Sequence, residues 1–260
     1  MVDVELAKNE FENFINQLEI NNLKVKRKVD HTYRVSEISK KIAAQLGLTE
    51  EQINLAELIG ILHDIGRFEQ YKIFNKNTES KTLDNNNIFD HGEAGVKLLK
   101  KDNYLRKYIE EDKYDNVIYT SIYEHNKYEI TSNLKEEMPF SKIIRDADKI
   151  DIIYEAVNIF WKEKKEILEI EKGKLSRKMK EDFYNYKLSN NLSRISETDQ
   201  ILRFTSFIFD MNFKCSLEML KESDNLSKMI DRFHYQVAET SEEMKKIKQF
   251  ANDYIREKTK

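Results

Sequence analysis

Apolar residues recur along most of this chain at steps of three and four, the spacing that lines one face of an α-helix. An opening stretch, roughly residues 3–20, reads as a first amphipathic helix, and a second, about 27–46, sets Val35, Ile38, Ile42 and Leu46 in one stripe. "GLTEEQ" then punctuates the chain: Gly47 suits a helix C-cap, and Thr49 with Gln52 three residues on reads as a capping box. The helix opened by that box carries Ile53, Ala56, Ile59 and Leu62 up to His63-Asp64, with Gly66 as its expected end. Residues 72–89 are polar and turn-rich and are expected to form a mobile loop. Asp90 and Glu93 repeat the N-terminal signature, which puts His91 in the first turn of the next helix. A helix over about 114–126 delivers His125 near its C-terminal end. Ser141 is expected to cap the helix that carries Asp148 and runs into "IIYEAVNIFW".

Beyond Trp161 the pattern changes. "KEKKEILEIEKGKLSRKMKED" is highly charged with a thin apolar seam, "ILRFTSFIFDMNF" is rich in aromatics, and the last twenty residues are charged again. The expected division is therefore residues 1–160 as one helical domain and 161–260 as a helical extension packed on it. Six glycines and one proline, Pro139, in 260 residues leave few turn signals of the kind that separate strands, so the predicted class is all-α.

Composition narrows the function. Hydrophobic residues make up 40% and charged residues 35%, as in a folded, water-soluble chain. The net charge of -3 offers no broad basic face, which argues against a nucleic-acid partner and leaves small or short substrates. Cys215 stands alone, so no intramolecular disulfide can form. The N-terminus is charged and amphipathic rather than a signal peptide, and no long uncharged run could span a membrane. A cytoplasmic location follows as the expectation, with a homodimer allowed.

The chemistry lies in the histidines. Four of the five, His31, His63, His91 and His125, fall in the first half, one per expected helix; His234 reads as an ordinary surface or core residue. His63 is followed by Asp64 at the end of an apolar run, where an unpaired carboxylate is costly to bury and a cation offsets the cost. Neighbouring residues on a helix point about 100° apart, so an ion touching both needs its other ligands from other helices. Imidazole and carboxylate without thiolate suit zinc, iron, manganese, nickel or cobalt, with magnesium also admissible. The distal "RDADKID" offers Asp146, Asp148 and Asp151. Asp148 shares a face with Ile144 and, more loosely, with Asp151 and Glu155, whereas Asp146 lies opposite; periodicity leaves the choice open.

"DHTYRV", "ILHDIGRF", "DHGEAG" and "RDADKID" together resemble the four motif blocks of the HD-domain superfamily of metal-dependent phosphohydrolases, in the same order, over about residues 27–155. The resemblance implies an HD-type helical bundle with additional C-terminal helices. It implies that His31, His63, Asp64 and Asp148 hold a first metal, the alanine-aspartate-lysine pattern favouring Asp148 over Asp146. Members with two further histidines between the doublet and the last aspartate bind two divalent ions; here Asp64 would bridge, and His91 and His125 would hold the second. The cyclic-dinucleotide branch carries paired histidines at the His125 block and a Gly-Tyr-Pro motif, whereas this chain has "EHNKYE", which counts against a cyclic di-GMP substrate.

The implied activity is hydrolysis of a phosphate ester, a nucleotide or dinucleotide, by a metal-activated water with Asp64 central. No serine- or cysteine-based nucleophile motif is present. Arg67 is the first choice for gripping phosphate, because guanidinium suits bidentate contact; Arg34 and Asn126 are further substrate-binding candidates, and Lys149 joins Asp64 and Arg67 as a candidate catalytic group. Two other readings share the ligands: a di-iron oxygenase, and a non-catalytic metal or nucleotide sensor.

Overall fold

A computed structural model describes residues 2–18, 23–76, 89–131, 138–189 and 195–260 of the chain. Most of the expected loop over 72–89 lies outside the described residues. Those described are helical with no strand, and none of their helices is long and apolar enough to cross a membrane. The chain divides into two compact units, Met1–Ala147 and Asp148–Lys260, with the boundary inside a helix.

The first unit comprises α1 (Val4–Gln17), α2 (Leu23–Gln45), α3 (Glu50–Leu62), α4 (Ile65–Lys76), α5 (His91–Lys100), α6 (Asp115–Glu124) and the start of α7 (Met138–Asn158). Asp3 caps α1, accepting from Leu6 N at 2.9 Å, and α1 buries Ala7, Phe11 and Phe14. The rings of Phe11 and Phe14 meet the edge of Phe68 on α4 at 5.6 and 6.1 Å. The capping box at Thr49 forms as expected, with Gln52 N and the Thr49 backbone exchanging side-chain bonds, and Gly47 takes the left-handed conformation at φ 71°.

The centre of this unit is α3, flanked by α1, α2 and α6. From Leu55 to Leu62 every residue is buried, so the helix is covered on all sides. Gly60 makes this fit: a Cβ there would strike the backbone of Ser36, so only glycine lets α2 cross this close and set His31 beside His63. Glu57 is the exception in the apolar run. Its fully buried carboxylate pairs with Lys8 of α1 at 2.9 Å and Lys40 of α2 at 2.8 Å, clamping both onto α3.

Two sequence expectations are corrected. Gly66 does not end a helix: α3 stops at Leu62, the chain turns through His63-Asp64, and Gly66 sits in the first turn of α4. Ser141 does not cap α7, which starts earlier at Met138 with Pro139 in its first turn, where a missing N–H costs nothing; Ser141 is buried one turn in.

The second unit holds the remainder of α7 and α8 (Lys164–Lys172), α9 (Arg177–Tyr184), α10 (Glu197–Thr205), α11 (Lys214–Ser223), α12 (Asn225–Asp231) and α13 (Ala238–Lys258). The aromatic stretch seen in the sequence packs here, with Phe209 5.1 Å from Phe183 and 5.0 Å from Tyr254. Arg232 donates to the carbonyls of Ala156 and Val157 in the last turn of α7 and to that of Trp161 beyond it.

Candidate metal centre

Within the first unit, four helix ends and one helix interior bring His31, His63, Asp64, His91 and His125 together. His31 comes from the middle of α2, His63 and Asp64 from the α3–α4 turn, His91 from the first residue of α5, and His125 from the residue that closes α6. All five are buried. Asp90 accepts from Glu93 N at 3.1 Å, the expected N-cap, and so fixes the backbone at His91.

The two oxygens of Asp64 face different histidine pairs. Oδ2 lies 3.5 Å from His31 Nε2 and 3.4 Å from His63 Nε2. Oδ1 lies 3.4 Å from His91 Nε2 and 3.7 Å from His125 Nε2, and those two nitrogens are 3.0 Å apart. An ion with bonds of about 2.0–2.2 Å holds neighbouring ligand atoms about 3–3.5 Å apart. The two groups, His31-His63-Asp64 and Asp64-His91-His125, therefore have the spacing of two coordination faces sharing one carboxylate. Asp64 Oδ1 accepts no hydrogen bond from the described residues, although it is buried.

The imidazoles are prepared for ligation from behind. His63 Nδ1 donates to Gly60 O at 2.7 Å and His125 Nδ1 donates to Ile122 O at 2.6 Å. A carbonyl can only accept, so Nδ1 carries a proton in both rings, which turns Nε2 toward Asp64. Burial pushes the Asp64 carboxyl upward, but the Lys28 ammonium and the surrounding imidazoles outweigh it and hold the group well below its usual value. The donor set, a buried carboxylate among imidazole nitrogens, fits a divalent transition metal.

Two glycines permit the assembly. A Cβ on Gly66 would collide with His91 O and stand 2.6 Å from Gly95 N, so α4 and α5 touch backbone to backbone where the His-Asp doublet meets His91. A Cβ on Gly92 would stand 2.9 Å from each of Ile122 O, Tyr123 O and Asn126 Oδ1, so α5 meets the end of α6 in the same way.

The other expected site residues are placed as follows. Arg67 Nε is 3.9 Å from Asp64 Oδ1, its Nη1 donates to Gln70 at 3.0 Å, and about a third of its side chain is exposed. Arg34 is half-buried on α2, one turn beyond His31. Asn126 donates to Asp90 Oδ1 at 2.9 Å and lies 3.2 Å from His91 Nδ1, so it ties the two ends that carry His91 and His125. Asp148 and Lys149 begin the second unit, where Lys149 pairs with Asp210 at 2.7 Å.

Sequence reasoning passed over Lys28 and Arg145. Lys28 Nζ is 2.7 Å from Asp64 Oδ2. It precedes His31 by three residues, a same-face step that a helical reading of "KVDH" carries. Arg145 carries a single signal, a cation that follows the apolar pair Ile143-Ile144.

Residues 29–153 match the HD domain. The chain carries an HD domain. HD domains bind divalent metals and are typically metal-dependent hydrolases, and the helical fold and the His/Asp cluster of this chain agree with that membership. No curated protein and no solved structure matches the chain.

Proposed function

We propose that the HD domain of this chain is a binuclear metal-dependent phosphohydrolase. The observation that carries the reading is the division of Asp64, one oxygen toward His31 and His63 and the other toward His91 and His125. On this reading His31, His63 and Asp64 hold one ion and Asp64, His91 and His125 the other, with Asp148 completing the set by its place in the family's motif order. Bound divalent ions would supply Lewis acidity, lowering the pKa of water and neutralising charge on a phosphate ester.

The chain's own groups divide the remaining work. Arg67, whose guanidinium points at Asp64 and reaches solvent, offers a fork to non-bridging phosphate oxygens. Lys28 places an ammonium on the opposite oxygen of Asp64 and supplies a second positive contact. Arg34 extends this cationic side along α2. Asn126 acts through Asp90 and His91 rather than on substrate, keeping both rings in register. The substrate class is a small phosphate ester such as a nucleotide or dinucleotide.

The test is hydrolysis of nitrophenyl phosphate and bis-nitrophenyl phosphate, then of nucleotides and dinucleotides, by protein reconstituted with manganese under anaerobic conditions. Turnover is expected, and Asp64→Ala is expected to abolish it while leaving the helical circular-dichroism signal. Equal turnover by protein stripped of metal would refute the proposal. Oxygen uptake with iron, and no hydrolysis, would favour the oxygenase instead.

A further inference from the structure

The end of α6 carries His125, and its backbone accounting points to one residue. Ser121 O accepts from His125 N at 3.1 Å and Ile122 O from the His125 ring at 2.6 Å. The next helical carbonyl to be held, Glu124 O, accepts from Lys127 N at 3.2 Å. Arg145, on α7 and almost fully buried, adds side-chain donors to this helix end: Nη1 donates to Glu124 O at 3.0 Å and Lys127 O at 2.5 Å, and Nη2 donates to Tyr128 O at 3.2 Å. One guanidinium thus brackets the turn His125-Asn126 from both sides.

That turn does more than hold one ligand. Asn126 and Lys127 both bind Asp90, the cap of α5, and Asn126 also reaches His91 Nδ1. The position of the His91 ring is therefore tied to the same three-residue segment. His31 and His63 have anchorage of their own: the first comes from within α2, and the second donates to Gly60 O of α3, its ring standing edge-on to His125 at 5.3 Å.

From these contacts we infer that Arg145 is a positioning residue for the His91–His125 half of the centre, separable from the His31–His63 half. The inference rests on the two-ion reading above. A lysine keeps the charge but presents a single rotating ammonium, which cannot reproduce a fork spanning three carbonyls. Loss of a supporting contact behind metal ligands typically costs about 10–100-fold in affinity for the ion.

The experiment titrates Mn²⁺ into metal-stripped wild type, Arg145→Lys and Arg145→Met, with ions per chain, affinities and the exchange-coupled electron paramagnetic resonance signal of a manganese pair as readouts. His125→Ala serves as the reference for a lost second ion. Wild type is expected to bind two ions and show the coupled signal. Both Arg145 variants are expected to keep the first affinity and the wild-type helical signal, to bind the second ion about 10–100-fold more weakly, and to lose coupling at stoichiometric metal. Two ions at wild-type affinity in the variants would overturn the inference. So would equal weakening of both ions, or variants that do not fold, because either gives Arg145 a global role. A wild-type chain that binds one ion overturns the two-ion reading itself, and is distinguished because it shows before any substitution is made.

Discussion

Gly66→Ala isolates the backbone contact on which the centre depends. An alanine Cβ would lie 2.6 Å from Gly95 N and still closer to His91 O, both backbone atoms that cannot turn aside. Ordinary contact needs about 3.5 Å, so α4 and α5 must part by roughly 1 Å. Metal coordination tolerates about 0.2 Å in ligand distance. The shift therefore exceeds what the His91 ring can absorb, although overpacking of this kind costs only about 1–3 kcal/mol of stability. The expected outcome is a folded protein with slightly lowered thermal midpoint that binds one manganese ion per chain instead of two. Calorimetric titration with parallel metal analysis reads both quantities. A Gly66→Ala chain that binds two ions with wild-type affinity would refute the reasoning, because α5 would then not be held by that approach.

Other consequences follow from the same geometry. Lys8→Ala combined with Lys40→Ala leaves the buried Glu57 carboxylate without its two pairing cations and should cost about 3–5 kcal/mol in urea unfolding; adding Glu57→Leu should recover most of it, and no recovery would mean that the pair is not the source. Burial pushes Asp90 upward, but its bonds from Asn126, Lys127 and Glu93 N hold it well below its ordinary value of 3.8. Its charge thus contributes stability above that value, lost as pH falls through the lowered folded value. Asn is as good an N-cap, so the deficit of Asp90→Asn in metal-free protein should be full at neutral pH and shrink only in strong acid; a deficit independent of pH would exclude the charge as its origin. Lys28→Met should lower kcat/KM for a phosphate ester about 10–100-fold with Lys28→Arg restoring much of it, the range of a charged hydrogen bond, and unchanged kinetics would remove Lys28 from phosphate binding.

Local signals in the sequence were read where the physics is local. The cap at Asp90, the capping box at Thr49 and the left-handed Gly47 each follow from residues within three positions, and all form. The all-α class and the four histidines' helices followed from periodicity. Gly66 was misread because glycine signals a helix end and a close approach equally well, and only the neighbouring helix decides. Ser141 was misread because the first turn of α7 is defined by Pro139. Arg145 and Glu57 were invisible for another reason: Arg145 lies 17–21 residues from the carbonyls it holds, and Glu57 lies 17 residues from Lys40 and 49 from Lys8, separations that no period records.

The proposal turns on Asp64, whose two oxygens would each serve one histidine pair in holding divalent ions that would lower the pKa of water near a phosphate ester. Its most direct test is to count manganese ions per chain while measuring hydrolysis of bis-nitrophenyl phosphate by the same sample, for wild type and Asp64→Ala. Two ions with turnover in wild type, and loss of both ions and turnover in the variant, is the predicted result. Hydrolysis that persists in metal-free protein, or in Asp64→Ala, would contradict it.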